Sequence, residues 1–196
     1  MQDSVNQDRD KYIGGSDIPI ILDMSPYTTR DQLLRLKAKL ETDESSDNPY
    51  TLYGEVMEEK IRGYINTLPE FESDPFVEGK HIEEGDPIGF RCHTDGENDS
   101  TILEIKTTSN IDKNLEIYKV QLCFYMLRTE RQNGILACYL RPSDFNETFD
   151  KDRLTIIKFT LDDFVISGLV DKINNGIKLF IEDLKKLKAS IAGNSN

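Results

Sequence analysis

The sequence predicts an α/β domain in which a mixed central sheet is flanked by helices and followed by a long C-terminal helix. Three observations predict it. The segments run as helices, three strands, a helix, two strands and a helix. The chain has 196 residues, enough for a single domain, 1–196, with a sizeable core. Its last segment repeats apolar residues at helical spacing over several turns.

Residues 1–10 are polar and expected to be flexible. Ser16-Asp17 can cap a short apolar helix from Ile18 to Leu22, with Pro19 in its first turn, where proline is tolerated. Met24-Ser25-Pro26-Tyr27 is a turn, and Thr29 can cap a helix through Leu33, Leu34, Leu36 and Leu40. Residues 42–49 form a polar loop, also expected to be flexible. Val56, Ile61, Tyr64, Ile65 and Leu68 give an apolar face to a helix over Leu52 to Leu68. Three strands follow, Phe76–Ile82, Ile88–His93 and Thr101–Thr107, with turns at Gly85-Asp86 and Gly96. Residues 113–129 read as a helix, with Leu115, Tyr118, Leu122, Tyr125 and Met126 on one side. Gly134–Leu140 and Leu154–Thr160 read as strands joined by the turn-rich Arg141–Asp152. The final helix carries Ile166, Leu169, Val170, Ile173, Ile177, Phe180, Leu184 and Leu187, and Gly168 and Gly176 weaken it as an unbroken rod.

Thirty-six acidic and 24 basic residues give a formal net charge of −12. Residues 1–100 carry 23 acidic and 10 basic side chains, whereas residues 101–196 carry 13 and 14. Phosphate neutralisation needs Lys and Arg, so the balance argues against broad nucleic-acid binding and leaves the second half as the half to face it. Cys92, Cys123 and Cys138 form no CxxC pair and read as small buried residues in a reducing compartment. No apolar run reaches membrane-spanning length, and the N-terminus has no leader pattern. A cytoplasmic protein is expected.

The chemistry concentrates around Asp95-Gly96 and Leu103-Glu104-Ile105-Lys106. Residues two apart on a strand share a face, so Glu104 and Lys106 point one way and Ile105 points into the core. Asp95, at the neighbouring strand end, can meet them. Two carboxylates and an ammonium in one small space are costly without a hard cation among them. Such a cation lowers the pKa of bound water, which Lys106 can position or activate. A Glu-x-Lys tripeptide alone is an ordinary surface pair, and the neighbouring segments add the weight. Glu58 lies on the preceding helix, one turn after Gly54, which would let that helix come close. Glu55 and Glu59 belong to its solvated face. Gln121, three residues after Tyr118, can hydrogen-bond a water or a phosphate. Gly14-Gly15-Ser16-Asp17 before a helix start offers N–H groups to an anion, with Arg9 and the Ser16 hydroxyl to complete a phosphate pocket.

In order and spacing, Arg9, Ile13-Gly14-Gly15-Ser16-Asp17, Leu22-Asp23-Met24-Ser25-Pro26-Tyr27, Gly54, Glu58, His93-Thr94-Asp95-Gly96, Leu103-Glu104-Ile105-Lys106, Tyr118 and Gln121 resemble the lambda-type alkaline exonuclease family, or YqaJ-like viral recombinases. These belong to the PD-(D/E)xK nuclease superfamily. The resemblance covers about residues 9–125, and no family motif follows residue 130. It implies a restriction-endonuclease-like core and a magnesium-dependent enzyme, with manganese as a substitute. That enzyme would degrade one strand of linear duplex DNA from the 5′ end in phage-type recombination, beside a single-strand annealing protein and within the host cytoplasm. Asp95 and Glu104 would hold the metal with the Ile105 carbonyl, and Glu58 would serve a second metal. Lys106 would activate water, Gln121 would help place it, and Arg9 and Ser16 would receive the 5′ phosphate. A homo-oligomeric ring around DNA is a further implication. The alternatives are a PD-(D/E)xK endonuclease and a non-catalytic nuclease-fold module that binds DNA or protein.

Overall fold

The computed structural model describes residues 8–42 and 48–194. The expectations of flexibility at 1–7 and 43–47 lie outside the described residues. Within the same two stretches, Arg9 and Asp10 belong to a 3-10 turn that ends at Lys11, and Asn48 caps a helix.

Six strands, β1 (Tyr12–Gly14), β2 (Val77–Glu83), β3 (Gly89–Glu97), β4 (Thr101–Thr108), β5 (Asn133–Leu140) and β6 (Leu154–Thr160), form one mixed sheet. Its path runs β1-β3-β4-β5-β6, and β2 also pairs with β3. The helices are α1 (Asp17–Ile21), α2 (Arg30–Lys37), α3 (Pro49–Ile65), α4 (Ile111–Thr129), α5 (Leu161–Ile166) and α6 (Leu169–Asn194). β4 and β5 are parallel over eight residue pairs, and α4 makes the crossover that a parallel pair requires. β2–β3 and β5–β6 are antiparallel, while short β1 lies parallel to β3. This is the mixed, helix-flanked sheet that the sequence predicts.

Apolar residues cover both faces of the sheet. On one face Ile102, Leu136 and Cys138 pack with Leu122, Phe124 and the C-terminal Ile173, Ile177, Phe180 and Leu184. On the other, Leu103, Ile105, Ile135, Ala137 and Tyr139 pack with Tyr53, Met57, Ile61 and Ile65 of α3. The period-two alternation of β4 and β5 therefore feeds two cores. All three cysteines are buried, and burial pushes their thiols up, Cys92 and Cys123 to about 12 and Cys138 to about 11.

Several boundaries differ from the sequence expectation. α3 begins at Pro49 rather than Leu52, because the Asn48 side chain accepts from the Tyr50 and Thr51 amides and Pro49 needs no donor partner. α2 ends at Lys37, short of Leu40, where Lys39 turns left-handed with φ 61°. Thr29 does cap it, in a capping box with Gln32. Ser16 makes no capping bond, and Asp17 instead accepts from the Gly14 amide at 2.9 Å. Gly96 is not a turn, since β3 runs on to Glu97. A Cβ at Gly96 would stand 2.9 Å from the Phe76 Cβ, so this glycine serves close packing, and Asn98 makes the turn by accepting from Thr101. The long C-terminal element is two helices. Thr160 and Asp163 form a capping box for α5, and Gly168 at φ 74° breaks the chain before α6. Ile166, assigned to the apolar face, is 85% exposed at that break.

Candidate active site

β3 and β4 share just two ladder positions, Gly96↔Leu103 and Glu97↔Ile102. Beyond these the strands part, and the Asp95 carboxylate spans the gap. Its Oδ2 accepts from the Ile105 amide at 2.6 Å. Amide and carbonyl of one extended residue point to the same edge, so the Ile105 carbonyl faces the same gap. Ile105 itself is buried beneath α3, as expected.

Glu104 and Lys106 lie on the opposite face of β4. The Lys106 Nζ is 2.5 Å from Glu104 Oε1. Glu104 is 1% exposed, and its Oε2 is buried with no hydrogen-bond partner. Burial, then the Asp95 charge, pushes the Glu104 carboxyl up to about 8. Burial opposes the Lys106 charge, yet the Glu104 and Asp95 carboxylates outweigh it and hold the ammonium above the usual lysine range. Glu58 on α3 completes the group. Burial, then a hydrogen bond and like charge from Asp95, pushes it up to about 10. Three carboxyls thus crowd one ammonium. A Cβ at Gly54 would meet Thr107 Oγ1 at an ordinary 3.5 Å, so the expected close approach there is no tighter than normal packing. Glu55 and Glu59 are exposed, as a solvated face requires.

Apart from the buried Glu104, the groups of this site open onto a cleft of about 830 Å³ between α3, the end of β4 and the start of α4. Glu58, Asp95, Ile105, Lys106 and Tyr118 are in its wall. Gln121 is half-buried one turn on from Tyr118 and does not line the cleft. Among the described residues, no three His, Cys, Asp or Glu side chains converge tightly enough to hold a metal by themselves. The donor set nevertheless fits magnesium, which takes one or two carboxylates and keeps several waters. The unpartnered Glu104 oxygen and the crowded carboxyls are what a hard cation would satisfy.

The glycine loop forms a second centre. Lys37 is fully buried and donates to the carbonyls of Arg9 and Tyr12 and to Asp17 Oδ2 at 2.6–2.7 Å. An Arg9 nitrogen lies 3.6 Å from Asp17 Oδ1. Burial lowers the Lys37 pKa, Asp17 opposes this, and the charges of Arg9 and Arg91 lower it further. Lys37 and Arg9 thus pair with Asp17, and the Arg91 charge acts on Lys37, close to the exposed Ser16. Gly15 packs on the Tyr125 ring, where a Cβ would come within 2.4 Å. Burial and then the charges of Glu104, Asp95 and, more weakly, Asp17 raise the Tyr125 hydroxyl.

Sequence reasoning missed Lys37, Arg91 and Arg62. Lys37 stands four residues after Leu33, the other buried residue of α2, and a lysine on an apolar face was its signal. Arg62 follows Glu58 by one turn and donates to the Asp95 carbonyl at 2.6 Å and to Glu78, fixing β3 against α3. Arg91 carried no signal in the sequence.

No family model and no curated protein matches the chain. Solved structures do. The alkaline exonuclease LHK-Exo of Laribacter hongkongensis aligns over 98% of this chain and 99% of its own, with 17% identity and a TM-score of 0.65. Its complex with dAMP gives 0.66 over the same spans. A phage-related exonuclease of Haemophilus somnus 129PT aligns over 90% of this chain and 96% of its own, with 15% identity and a TM-score of 0.61. The chain has the fold of these exonucleases, including the region after residue 130 where the sequence motifs end.

Proposed function

We propose that this protein is a magnesium-dependent nuclease that degrades linear double-stranded DNA from its ends, 5′ to 3′. The observation that carries the reading is Glu104, a buried carboxylate with one oxygen on Lys106 and the other without a partner, beside Asp95 and Glu58. A folded core tolerates such crowding poorly unless a cation belongs there. The shared fold of two exonucleases supports the choice of chemistry.

Asp95, Glu104 and the Ile105 carbonyl would hold the ion, with Glu58 serving a second. The ion would supply an activated water and neutralise charge on the phosphate. Manganese would substitute, since it accepts similar oxygen donors. Lys106 holds Glu104 in place and presents its remaining N–H donors to the cleft. Arg62 fixes the backbone at Asp95, so the carboxylate is positioned from both α3 and β4. Arg9, Arg91 and Ser16 supply the charge and the hydroxyl for a terminal 5′ phosphate, which carries more charge than an internal diester. Such a receptor would favour an end-directed enzyme, because an endonuclease needs none for a terminal phosphate. A partner that anneals the exposed strand would complete a role in recombination.

The test is digestion of 5′-phosphorylated linear duplex and covalently closed duplex, with and without magnesium. Loss of linear DNA alone, with magnesium alone, is expected. Cleavage of closed circles would replace the reading with an endonuclease, and no cleavage of either form would leave a binding module.

A further inference from the structure

The cleft that holds Glu58 and Asp95 meets a second one of about 680 Å³, and the two share Ser109 and Arg141. Lys106 and Arg141 are the cations in the wall of the first. Lys106 is engaged by Glu104. Arg141 has no carboxylate partner among the described residues; its guanidinium carbon instead sits 4.4 Å from the centre of the Tyr50 ring and 5.1 Å from that of Phe145. A guanidinium stacked on a ring keeps its in-plane N–H donors free for a planar or tetrahedral oxyanion. Tyr50 is 57% exposed, so ring surface remains open beside that charge.

The arrangement is held firmly. The Arg141 amide donates to the Thr108 carbonyl at 2.8 Å. Tyr53 and Lys60 of α3 donate to the carbonyls of Asn146 and Glu147, which binds the 141–150 segment to α3. Phe145 packs against Tyr50 at 5.4 Å and edge-on to Tyr53 at 5.6 Å. It does so at φ 54°, a backbone region costly for a bulky residue. An aromatic face, a free guanidinium and a rigid support are the parts of a single-strand grip, in which bases stack and a cation takes the backbone. A base inside a duplex is stacked on both sides and offers Tyr50 no free face.

We infer that Tyr50 and Arg141 form a clamp for an unpaired DNA strand entering or leaving the cleft, Tyr50 stacking on a base and Arg141 holding the adjoining phosphate. The inference rests on the nuclease reading for its choice of DNA as the ligand. It gives this acidic chain a cationic contact on the cleft wall itself.

Binding is measured by fluorescence anisotropy, with calcium in place of magnesium, using a short oligothymidylate and an abasic strand of equal length. Wild type is expected to prefer the oligothymidylate. Tyr50→Ala should weaken that binding by roughly ten-fold and leave the abasic strand unchanged, while Tyr50→Phe keeps the preference. Arg141→Ala should weaken both and reduce the salt dependence by about one phosphate contact. The chain has no tryptophan, so Tyr50→Trp gives a lone reporter, which oligothymidylate should quench and the abasic strand should not. Equal affinity of wild type for the two strands, or alanine variants that bind as wild type does, would overturn the clamp. Linear-duplex digestion is scored separately. Intact digestion without base discrimination removes the clamp alone, and discrimination without digestion keeps the clamp and removes the nuclease.

Discussion

Burial and the neighbouring carboxylates raise the Glu104 and Glu58 carboxyls in the folded chain, favouring their protonated forms. Their folded values, about 8 and about 10, lie above the ordinary carboxylate range. Within that window the folded state binds more protons, so stability falls as pH rises. Metal-free protein is expected to lose thermal stability steadily from about pH 5 to about pH 9. The proposed magnesium would bind the ionised carboxylates, so its stabilising effect should be larger at the alkaline end. Thermal unfolding with and without magnesium across that range checks both parts, and a flat metal-free profile would contradict the crowding of these carboxyls. Glu104→Gln should flatten the slope and abolish cleavage together, and Asp95→Asn should abolish cleavage with little effect on folding. Lys106→Ala should lower the single-turnover rate by about two to four orders of magnitude, the scale of a lost positioning or proton-transfer group. An unchanged rate would make Lys106 a mere partner of Glu104.

At the scale of elements, the glycine loop depends on a lysine that belongs to another helix. Lys37 of α2 satisfies two carbonyls and Asp17, and Asp17 in turn holds the Gly14 amide. Lys37→Met would leave Asp17 charged and buried with Arg9 alone at 3.6 Å. A loss of about 3–5 kcal/mol in urea unfolding is expected, the usual cost of breaking a buried pair. Gly15→Ala should destabilise as well, since its Cβ would collide with the buried Tyr125 ring. The sequence made this loop legible as a glycine turn before a helix, and the strands β4, β5 and β6 as apolar runs, because local pattern and burial agree there. Asp95, Glu104, Lys106 and Glu58 were legible too, through strand alternation and spacing. Lys37 showed only as a lysine on an apolar helix face, with its partners hidden far along the chain, and Arg91 carried no signal. Gly168 was legible as a weak point of the last helix but not as its full break, because apolar spacing continues across it, and the three-residue β1 is too short to show a period. Gly96 was taken as a turn because composition alone does not separate a glycine that bends a chain from one that lets Phe76 pack against it.

Across the whole molecule, charge and chemistry pull in opposite directions. A net charge of −12 repels duplex DNA, yet the proposed nuclease would have to take phosphate at the cleft and the glycine loop. The structure meets this with a few placed cations rather than a basic face: Arg9 and Arg91 near the loop, Lys106 and Arg141 at the cleft. Binding to DNA ends should therefore release few counterions. With calcium holding the complex without turnover, the slope of log affinity against log salt is expected near −3 or shallower, the value for about three neutralised phosphates. Screening of the overall repulsion opposes counterion release and makes the slope shallower still. On the proposed reading the same economy would give Arg9 a large share of end recognition. 5′-phosphorylated linear duplex should be degraded faster than the 5′-hydroxyl form, and Arg9→Ala should erase most of that difference while keeping the slower cleavage that Asp95 and Glu104 support. Titrations at several salt concentrations, run on both kinds of end, separate these contributions. A slope steeper than about −6 would mean a broad phosphate footprint. Equal treatment of the two ends by wild type, with Arg9→Ala unchanged, would reduce Gly14-Gly15-Ser16 to a plain helix start.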